Sequence, residues 1–429
     1  MGQLGSSGGC GRRVSRRRRR LAPASALEHQ WIADQSVFDS LVDDLLTADR
    51  IAIDTEFHRE RTYWPRVALV QIGVEDEIHL IDTLEVDIAP LAAAITGQAT
   101  VVMHAASQDL EVLDRSCGTI PRDLFDTQIA AGFVGMSTPS LASLVERYVG
   151  ERLPKGDRLT DWFERPLRDA QRSYAASDVA HLFTIHDLLV EELEERGRLT
   201  WALDECELAR TPARPALPTE LAWTRIKEAR HLRGGARAIA STLADWRERT
   251  ARTHDIPPRF VLSDLAVVGI AQRAPSTPEE LRKVRGVDGR FLKDGGARAI
   301  LEAVTEGGQL SPDEVPVLEI DQGPALSQEL RPAVTLVSAW IAQVAKDEHL
   351  DVTLLATRSD ITDILRGAPE ARLATGWRAD LVGGPIRDLV DGRAALAFER
   401  SGRLVLEQRA ALTSDFEAAG TGDLAAHPE

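Results

Sequence analysis

The chain of 429 residues is poor in cysteine and has no long hydrophobic run. Its three cysteines, Cys10, Cys117 and Cys206, lie far apart and form no CxxC pair, which argues against a disulfide framework or a structural zinc site. No stretch reaches the roughly 18 consecutive apolar residues that a membrane helix needs. No apolar segment follows the basic N-terminus, so the sequence shows no secretory signal. We therefore expect a cytoplasmic protein that does not associate with membranes.

The chain also has fewer basic than acidic residues. It contains 51 Lys and Arg residues against 67 Asp and Glu residues, which gives a net charge of −16. Net charge bears on solubility and non-specific association, whereas specific binding depends on where the local charges lie. An acidic protein can still hold a phosphate chain if metal ions neutralise its carboxylates. The charge balance therefore excludes no class of nucleic-acid enzyme.

The length favours two to four domains, and breaks in composition suggest where they lie. Gly, Ser and Arg dominate the start, two Pro-rich stretches interrupt the middle, and small and acidic residues dominate the end. The predicted segments are a disordered basic tail 1–26, an α/β domain 27–200, a linker 201–217, a helical domain 218–306, a linker 307–332, a second helical domain 333–410 and an acidic tail 411–429.

The first domain alternates between the two periodicities of strands and helices. Four apolar stretches are predicted strands, at 51–53, 68–72, 78–81 and 100–104, and four amphipathic stretches are predicted helices, at 107–116, 126–134, 140–149 and 168–195. A sheet with helices packed on it, and an active site at the strand ends, is the simplest architecture.

Two carboxylates, Asp54 and Glu56, follow the first predicted strand. Side chains two residues apart in a strand point to the same face, so both can reach one ion. Because the strand is apolar, two acids at its end are costly unless something neutralises them. For this pair alone, two solvated acids in a loop remain the simpler interpretation.

Three further residues complete a potential site. Tyr174 and Asp178 lie four residues apart and share one helix face, while Asp109 lies near the start of the helix after the fourth strand. Taken singly, they have structural interpretations: a core tyrosine, a surface aspartate and an acid that complements a helix dipole. As an ordered set with Asp54 and Glu56, they favour a site for two divalent metal ions that cleaves phosphodiester bonds.

This ordered set resembles the three exonuclease motifs of the DEDD superfamily, and the tyrosine is typical of its DEDDy branch. The segments 54–57, 69–73 and 153–167 resemble those of the ribonuclease D family, and residues 218–306 are similar to an HRDC domain. Residues 333–410 occupy the place of a second, divergent HRDC-like domain. The resemblance implies an α/β ribonuclease H-like exonuclease domain, a mixed sheet with flanking helices, followed by all-α HRDC-like domains.

The resemblance also implies the roles of the five residues. Asp54, Glu56, Asp109 and Asp178 would hold two divalent ions, Mg²⁺ or Mn²⁺, which prefer oxygen ligands. Tyr174 would position the attacking water, because a phenol with a pKa of about 10 is a poor general base at neutral pH. No organic cofactor is expected.

Four other residues are candidates for contact with the nucleic acid: Thr55, Phe57, His104 and Lys155. Thr55 and Phe57 adjoin the first two ligands, and the Phe57 ring could stack on the terminal base. His104 could contact phosphate, and Lys155 precedes the last motif, where it could guide the strand. Packing, for the two rings, and a solvated basic face, for Lys155, are the alternatives.

Together these features predict a hydrolase, a metal-dependent 3′-5′ exoribonuclease that releases 5′-nucleotides from tRNA precursors or other structured RNA 3′ ends. Two alternatives stay open: a 3′-5′ exonuclease acting on single-stranded DNA, and a catalytically silent RNA-binding scaffold. The segments that flank the motifs favour RNA. A scaffold would have been indicated by a missing ligand, and none of the four is missing.

Overall fold

The structure is a computed structural model that describes residues 27–153, 160–211, 217–292, 295–316, 325–368 and 370–409. Both predicted tails and the candidate Lys155 lie outside these ranges. Within the described part of the chain, no helix has the length and apolarity needed to cross a membrane.

A six-stranded mixed sheet forms the first domain. Its strands are β1 Gln30–Ile32, β2 Arg50–His58, β3 Arg66–Val74, β4 Glu77–Asp82, β5 Thr100–Met103 and β6 Asp123–Asp126. Their order is β1-β4-β3-β2-β5-β6, with β2, β3 and β4 antiparallel and the other pairs parallel. The four predicted strands are present, whereas the two edge strands, of three and four residues, are too short for a clear sequence pattern.

Helices cover both faces of this sheet, in keeping with the mainly apolar runs of its central strands. They are α1 Gln35–Leu45, α2 Leu91–Ile95, α3 Ser107–Cys117, α4 Thr127–Gly132, α5 Leu141–Leu144, α6 Asp169–Ala180, α7 Leu182–Glu195 and α8 Leu199–Arg210. Helices α1, α2 and α3 pack on one face with Ile53 and Ile72. Helices α4 and α7, together with Val179 of α6, pack on the other face with Ala52 and Val102.

Two boundaries differ from the predictions. The helix predicted over 168–195 is divided at His181, where the backbone leaves helical geometry between α6 and α7. Apolar spacing continues through this break, so periodicity alone does not detect it. The first half of the predicted linker 201–217 is helix α8, which buries Ala202 and Cys206. The prolines that suggested a linker begin only after α8 ends.

The middle domain is helical, as predicted. It contains α9 Gly234–His254, α10 Pro258–Val261, α11 Asp264–Arg273, α12 Pro278–Arg282 and α13 Gly296–Gln309, preceded by a 3-10 turn at Thr219–Arg225. Its core is separate from that of the first domain and includes Trp223, Leu243, Ile270 and Ile300. A core of its own makes this segment an independent packing unit.

The last described segment contains α14 Arg331–Glu348, α15 Val352–Leu355, α16 Arg358–Leu365, α17 Gly376–Arg378 and α18 Gly384–Val390, and then an antiparallel hairpin of β7 Ala394–Phe398 and β8 Leu404–Gln408. The hairpin adds strands to a segment expected to be helical. Because its strands are five residues long and partly exposed, their apolar pattern is weak. This segment also shares one core with the first domain, through Trp377 stacked on Trp201 with ring centroids 5.0 Å apart.

A buried ion network ties this segment to the first domain. Glu205 of α8 accepts hydrogen bonds from Arg378 and, at 2.8 Å, from Arg372. Arg378 is 4% exposed and also donates to the Leu354 carbonyl at 2.6 and 2.8 Å. The two guanidinium groups hold the pKa of Glu205 below its ordinary value despite burial. The negative charge of Glu205 in the first domain is therefore paired with two positive charges of the last segment.

We predict that Arg378→Leu lowers the melting temperature, because it leaves Glu205 with one partner in a buried site. Breaking a buried pair typically costs about 3–5 kcal/mol. Differential scanning calorimetry measures the shift. Arg393→Leu is the control, since this side chain is 58% exposed in its pairs with Asp388 and Asp391 and its loss should shift the melting temperature little. Equal shifts in the two variants would contradict the prediction.

Candidate active site

Strand β2 presents the first two carboxylates. Asp54 lies opposite Gln71 of β3, and Glu56 lies opposite Leu69, so all four side chains project from the same face of the sheet. A β-bulge follows directly, between Glu56 and Phe57. Bulges bend a strand and redirect its side chains, and they are frequent beside active sites. The sequence gives no sign of this bulge.

Helix α6 lies on that face and carries Asp178. It approaches the sheet closely because the residues beneath it are small: a Cβ added at Gly73 would lie 3.2 Å from Ala52 Cβ and 3.8 Å from Val179 Cβ. Ala175 and Ala176 pack on Leu69 of β3 in the same region. Small side chains at this contact let the helix place its own carboxylate beside those of β2.

Three of the four predicted ligands converge. Carboxylate oxygens of Asp54, Glu56 and Asp178 all lie within 4.8 Å of one another. Each of the three side chains is only partly buried, so the cluster is open on one side. Oxygen donors at this spacing suit a hard divalent cation.

Asp109 lies next to this group and is held from the other face of the sheet. Its carboxylate accepts a hydrogen bond of 2.5 Å from the Thr55 hydroxyl, and both side chains are buried. The turn before α3 is fixed by Asp126, which accepts the N–H groups of Ala105 and Ala106 at 3.0 and 2.8 Å. Asp126 also caps α4 by accepting the N–H groups of Gln128 and Ile129. These contacts fix the start of α3 and therefore the position of Asp109 beside the other carboxylates.

Burial and proximity disfavour the ionised forms of the four carboxyl groups. Burial, together with the charges of Asp54 and Asp109, raises the pKa of Glu56 to about 8. Burial raises the pKa of Asp109 to about 6, although the Thr55 hydrogen bond opposes the shift. The pKa values of Asp54 and Asp178 are also raised well above the ordinary value, by burial first and then by neighbouring carboxylates. A bound cation would relieve this repulsion.

Tyr174 lies one helical turn before Asp178 on α6. Its ring is half-buried and packs beside Trp162, with ring centroids 6.2 Å apart. Trp162 was not among the predicted site residues. It belongs to a segment that Arg165 fastens to the sheet through Asp82, at 2.6 and 2.8 Å, and through the Ala68 carbonyl. Arg165 is therefore a positioning residue for this wall of the site.

A groove of about 390 Å³ opens beside Glu56. Its lining consists of Glu56, Phe57, His58, Arg59, Glu60, Arg61, Thr160, Asp161 and Trp162. Among the predicted contact residues that the structure describes, Phe57 lines this groove, and the Arg59 guanidinium lies 5.7 Å from the centre of its ring. The lining combines the aromatic side chains of Phe57 and Trp162 with two arginines, of which Arg59 is paired with Glu111, and with the acidic residues Glu56, Glu60 and Asp161.

The middle domain forms hydrogen bonds with the loop at one wall of this groove. Tyr63, in the loop between β2 and β3, donates to Glu248 at 2.5 Å and accepts from Arg252 at 2.8 Å. Asp255, at the end of α9, accepts the N–H groups of Tyr63 and Trp64, each at 3.1 Å. The helical domain therefore contacts the loop that supplies Arg59, Glu60 and Arg61 to the groove.

Thr55 and His104, two of the predicted contact residues, do not belong to the lining of this groove. The Thr55 hydroxyl is used for Asp109 and lies on the far face of β2 from Asp54, because alternate residues of a strand face opposite ways. His104 Nδ1 lies 2.9 Å from Thr127 Oγ1, and the ring also hydrogen-bonds to the Pro139 backbone carbonyl. Burial lowers the pKa of His104. A neutral imidazole used in this way is a packing residue rather than a cationic phosphate ligand.

Two segments of the chain match known families. Residues 29–194 match the 3′-5′ exonuclease family and residues 236–304 match the HRDC domain. The 3′-5′ exonuclease family is metal-dependent, in keeping with the carboxylate cluster. The chain is thus a hydrolytic 3′-5′ exonuclease with an attached HRDC domain.

Individual relatives identify a narrower family within this class of exonucleases. The ribonuclease D of Zymomonas mobilis is 33% identical over 378 residues, which cover 87% of this chain and 96% of that protein. The ribonuclease D of Escherichia coli is 34% identical over 379 residues, which cover 85% and 99%. The crystal structure of Escherichia coli RNase D, an exoribonuclease involved in structured RNA processing, matches with a TM-score of 0.76 and 33% identity over 85% of this chain and 99% of that one.

The chain belongs to the ribonuclease D family and is a 3′-5′ exoribonuclease. The predicted family, fold class and enzyme class are confirmed.

We predict that the metal-free protein loses stability as the pH rises from 6 to 8, and that Glu56→Gln loses less. Glu56 has an unfolded pKa near 4.5 and a folded pKa of about 8, so its contribution is complete below the unfolded value and is lost as the pH approaches 8. Melting temperatures in a chelator at several pH values measure this. The same slope in wild type and Glu56→Gln would contradict it.

Proposed function

We propose that Asp54, Glu56, Asp109 and Asp178 hold two divalent cations, Mg²⁺ or Mn²⁺, at which RNA is hydrolysed from its 3′ end. The observation that carries this proposal is the convergence of three carboxylates within 4.8 Å, with Asp109 beside them. The residues fit hard cations, since all donors are carboxylate oxygens whose mutual repulsion a cation would offset. When bound, such ions activate water and stabilise the charge that develops on the phosphate.

The protein residues then have separate tasks. Asp54 would be the shared ligand, as the family resemblance implies, and its carboxylate lies close enough for the charges of Asp109 and Asp178 to act on it. Glu56 lines the groove as well as the cluster, so it is the ligand best placed to contact the terminal 3′-hydroxyl. Tyr174, one turn from Asp178, orients the attacking water. Thr55 fixes the Asp109 carboxylate through its hydrogen bond.

The groove favours a single-stranded RNA end. Phe57 and Trp162 offer aromatic surface, and Arg59 and Arg61 offer positive charge along its wall. We infer that the enzyme trims structured RNA 3′ ends, such as those of tRNA precursors, in the cytoplasm. Escherichia coli RNase D, with the same domains at 33% identity, acts in structured RNA processing, which supports this inference.

We predict that Asp178→Asn loses activity by more than the about 10–100-fold typical of changes outside the ligand set. The substitution keeps the shape of the side chain but removes a charge from the ligand cluster. The measurement is shortening of 5′-labelled RNA in Mg²⁺ or Mn²⁺. Asp169→Asn is a matched control on the same helix, because the Asp169 side chain is 93% exposed, and it should retain wild-type activity.

Other outcomes of this assay have distinct meanings. Internal cleavage products would overturn the exonuclease mechanism. Binding without shortening would favour the scaffold, and faster shortening of single-stranded DNA than of RNA would favour a DNA substrate.

We predict that Tyr174→Phe lowers kcat by at least about tenfold without changing the shape of the pH–rate profile. A water-orienting phenol contributes a hydrogen bond, whereas a general base typically contributes about 10²–10⁴-fold and its loss removes a limb of the profile. Single-turnover rates between pH 6 and 9 distinguish the two roles. Loss of the alkaline-side rise in the variant would assign Tyr174 as the base.

A further inference from the structure

Gln71 of β3 is a buried polar residue with no evident role in the fold. It is fully buried, and neither its Nε2 nor its Oε1 has a hydrogen-bond partner among the residues that the structure describes. A buried carboxamide without partners is costly, and such groups in folded proteins usually indicate a function or a bound group. A hydrophobic side chain would pack on this strand at lower cost, as Leu69 does two residues before it.

The position of Gln71 relates its unpaired, buried carboxamide to the active site. Gln71 lies directly opposite Asp54 in the antiparallel pair of β2 and β3. Opposite residues project to the same face with Cβ atoms roughly 4.5–5.5 Å apart, which is within the reach of a glutamine side chain. Helix α6 closes this face, since Gly73, two residues along β3, contacts Val179. The carboxamide is therefore enclosed between Asp54 and the helix that carries Asp178.

We propose that Gln71 is a positioning residue for the metal site, whose Nε2–H donates to the Asp54 carboxylate when that carboxylate is ionised and holding a cation. This inference rests on the proposed function. Ligating carboxylates are commonly oriented by hydrogen bonds from a second layer of residues. The protein supplies such a donor to Asp109, through Thr55, from the far face of the sheet. Gln71 is placed to do the same for Asp54 from the near face.

A purely structural role for Gln71 makes a different prediction. If the amide served packing alone, replacing it with an apolar side chain of similar length would leave metal affinity unchanged. If it orients Asp54, the same replacement removes an unpaired polar group from the metal-free protein but weakens the metal-bound one. The two roles therefore differ in metal affinity, which does not require an activity measurement.

The test compares Gln71→Met with wild type by isothermal titration of the full chain with Mn²⁺ alone, together with melting temperatures in a chelator. We expect the Kd for Mn²⁺ to rise by about tenfold or more, while the metal-free melting temperature is unchanged or higher. A Kd within twofold of wild type would overturn the proposal. If Gln71→Met does not fold, Gln71→Leu provides the same comparison with different packing.

Leu80→Met is the matched control. Leu80 is fully buried, lies opposite Gln71 on β4 and faces the same side, so the change introduces the same side chain without removing a donor. Its Kd for Mn²⁺ should equal that of wild type. Asp54→Asn separates this inference from the proposed function: if Mn²⁺ binds wild type and Asp54→Asn equally well, the metal site itself is wrong. Loss of binding in Asp54→Asn, with an unchanged Kd in Gln71→Met, would reject Gln71 alone.

Discussion

The repulsion among four carboxyl groups is the constraint on which the rest of this structure depends. Burial and the charges of Asp54 and Asp109 raise the pKa of Glu56 to about 8, and burial raises that of Asp109 to about 6, so the site is most costly in its ionised form. The fold tolerates this cost because its supports are rigid: β2 pairs on both edges, and α6 lies close to the sheet above Gly73. Because a bound divalent cation would offset this repulsion, the same cost favours cation binding at the site.

Support for the site extends well beyond the exonuclease domain. Asp255 and Glu248 of the HRDC domain hold Tyr63, in the loop that borders the groove. On another side, the last helical segment shares a core with α7 and α8 and joins them through the Glu205 pairs with Arg372 and Arg378. The HRDC domain therefore supports the loop that lines the groove, and the last segment stabilises the exonuclease domain at α7 and α8.

Much of the site was predictable because its residues follow simple periodicities. Asp54 and Glu56 share a strand face by the period of two, and Tyr174 and Asp178 share a helix face by the i, i+4 spacing. The hydrogen bond of Thr55 to Asp109 was not predictable, since it joins residues 54 positions apart. The surroundings of His104 were not predictable for the same reason, since burial and its contacts with Thr127 and the Pro139 carbonyl arise only on folding.

Local chain chemistry was enough for the four central strands, most helices and the spacing within each acidic motif, because these depend on periodicity and on residues close in sequence, and the family followed from the resemblance of the ordered motifs. Tertiary packing decided which carboxylates share an oxygen cluster, how strongly their pKa values rise and which polar groups support them. It also decided that α8 belongs to the folded domain and that the last segment ends in a hairpin. Burial and charge coupling act through space between distant residues, so they exist only once β2, α3 and α6 have come together.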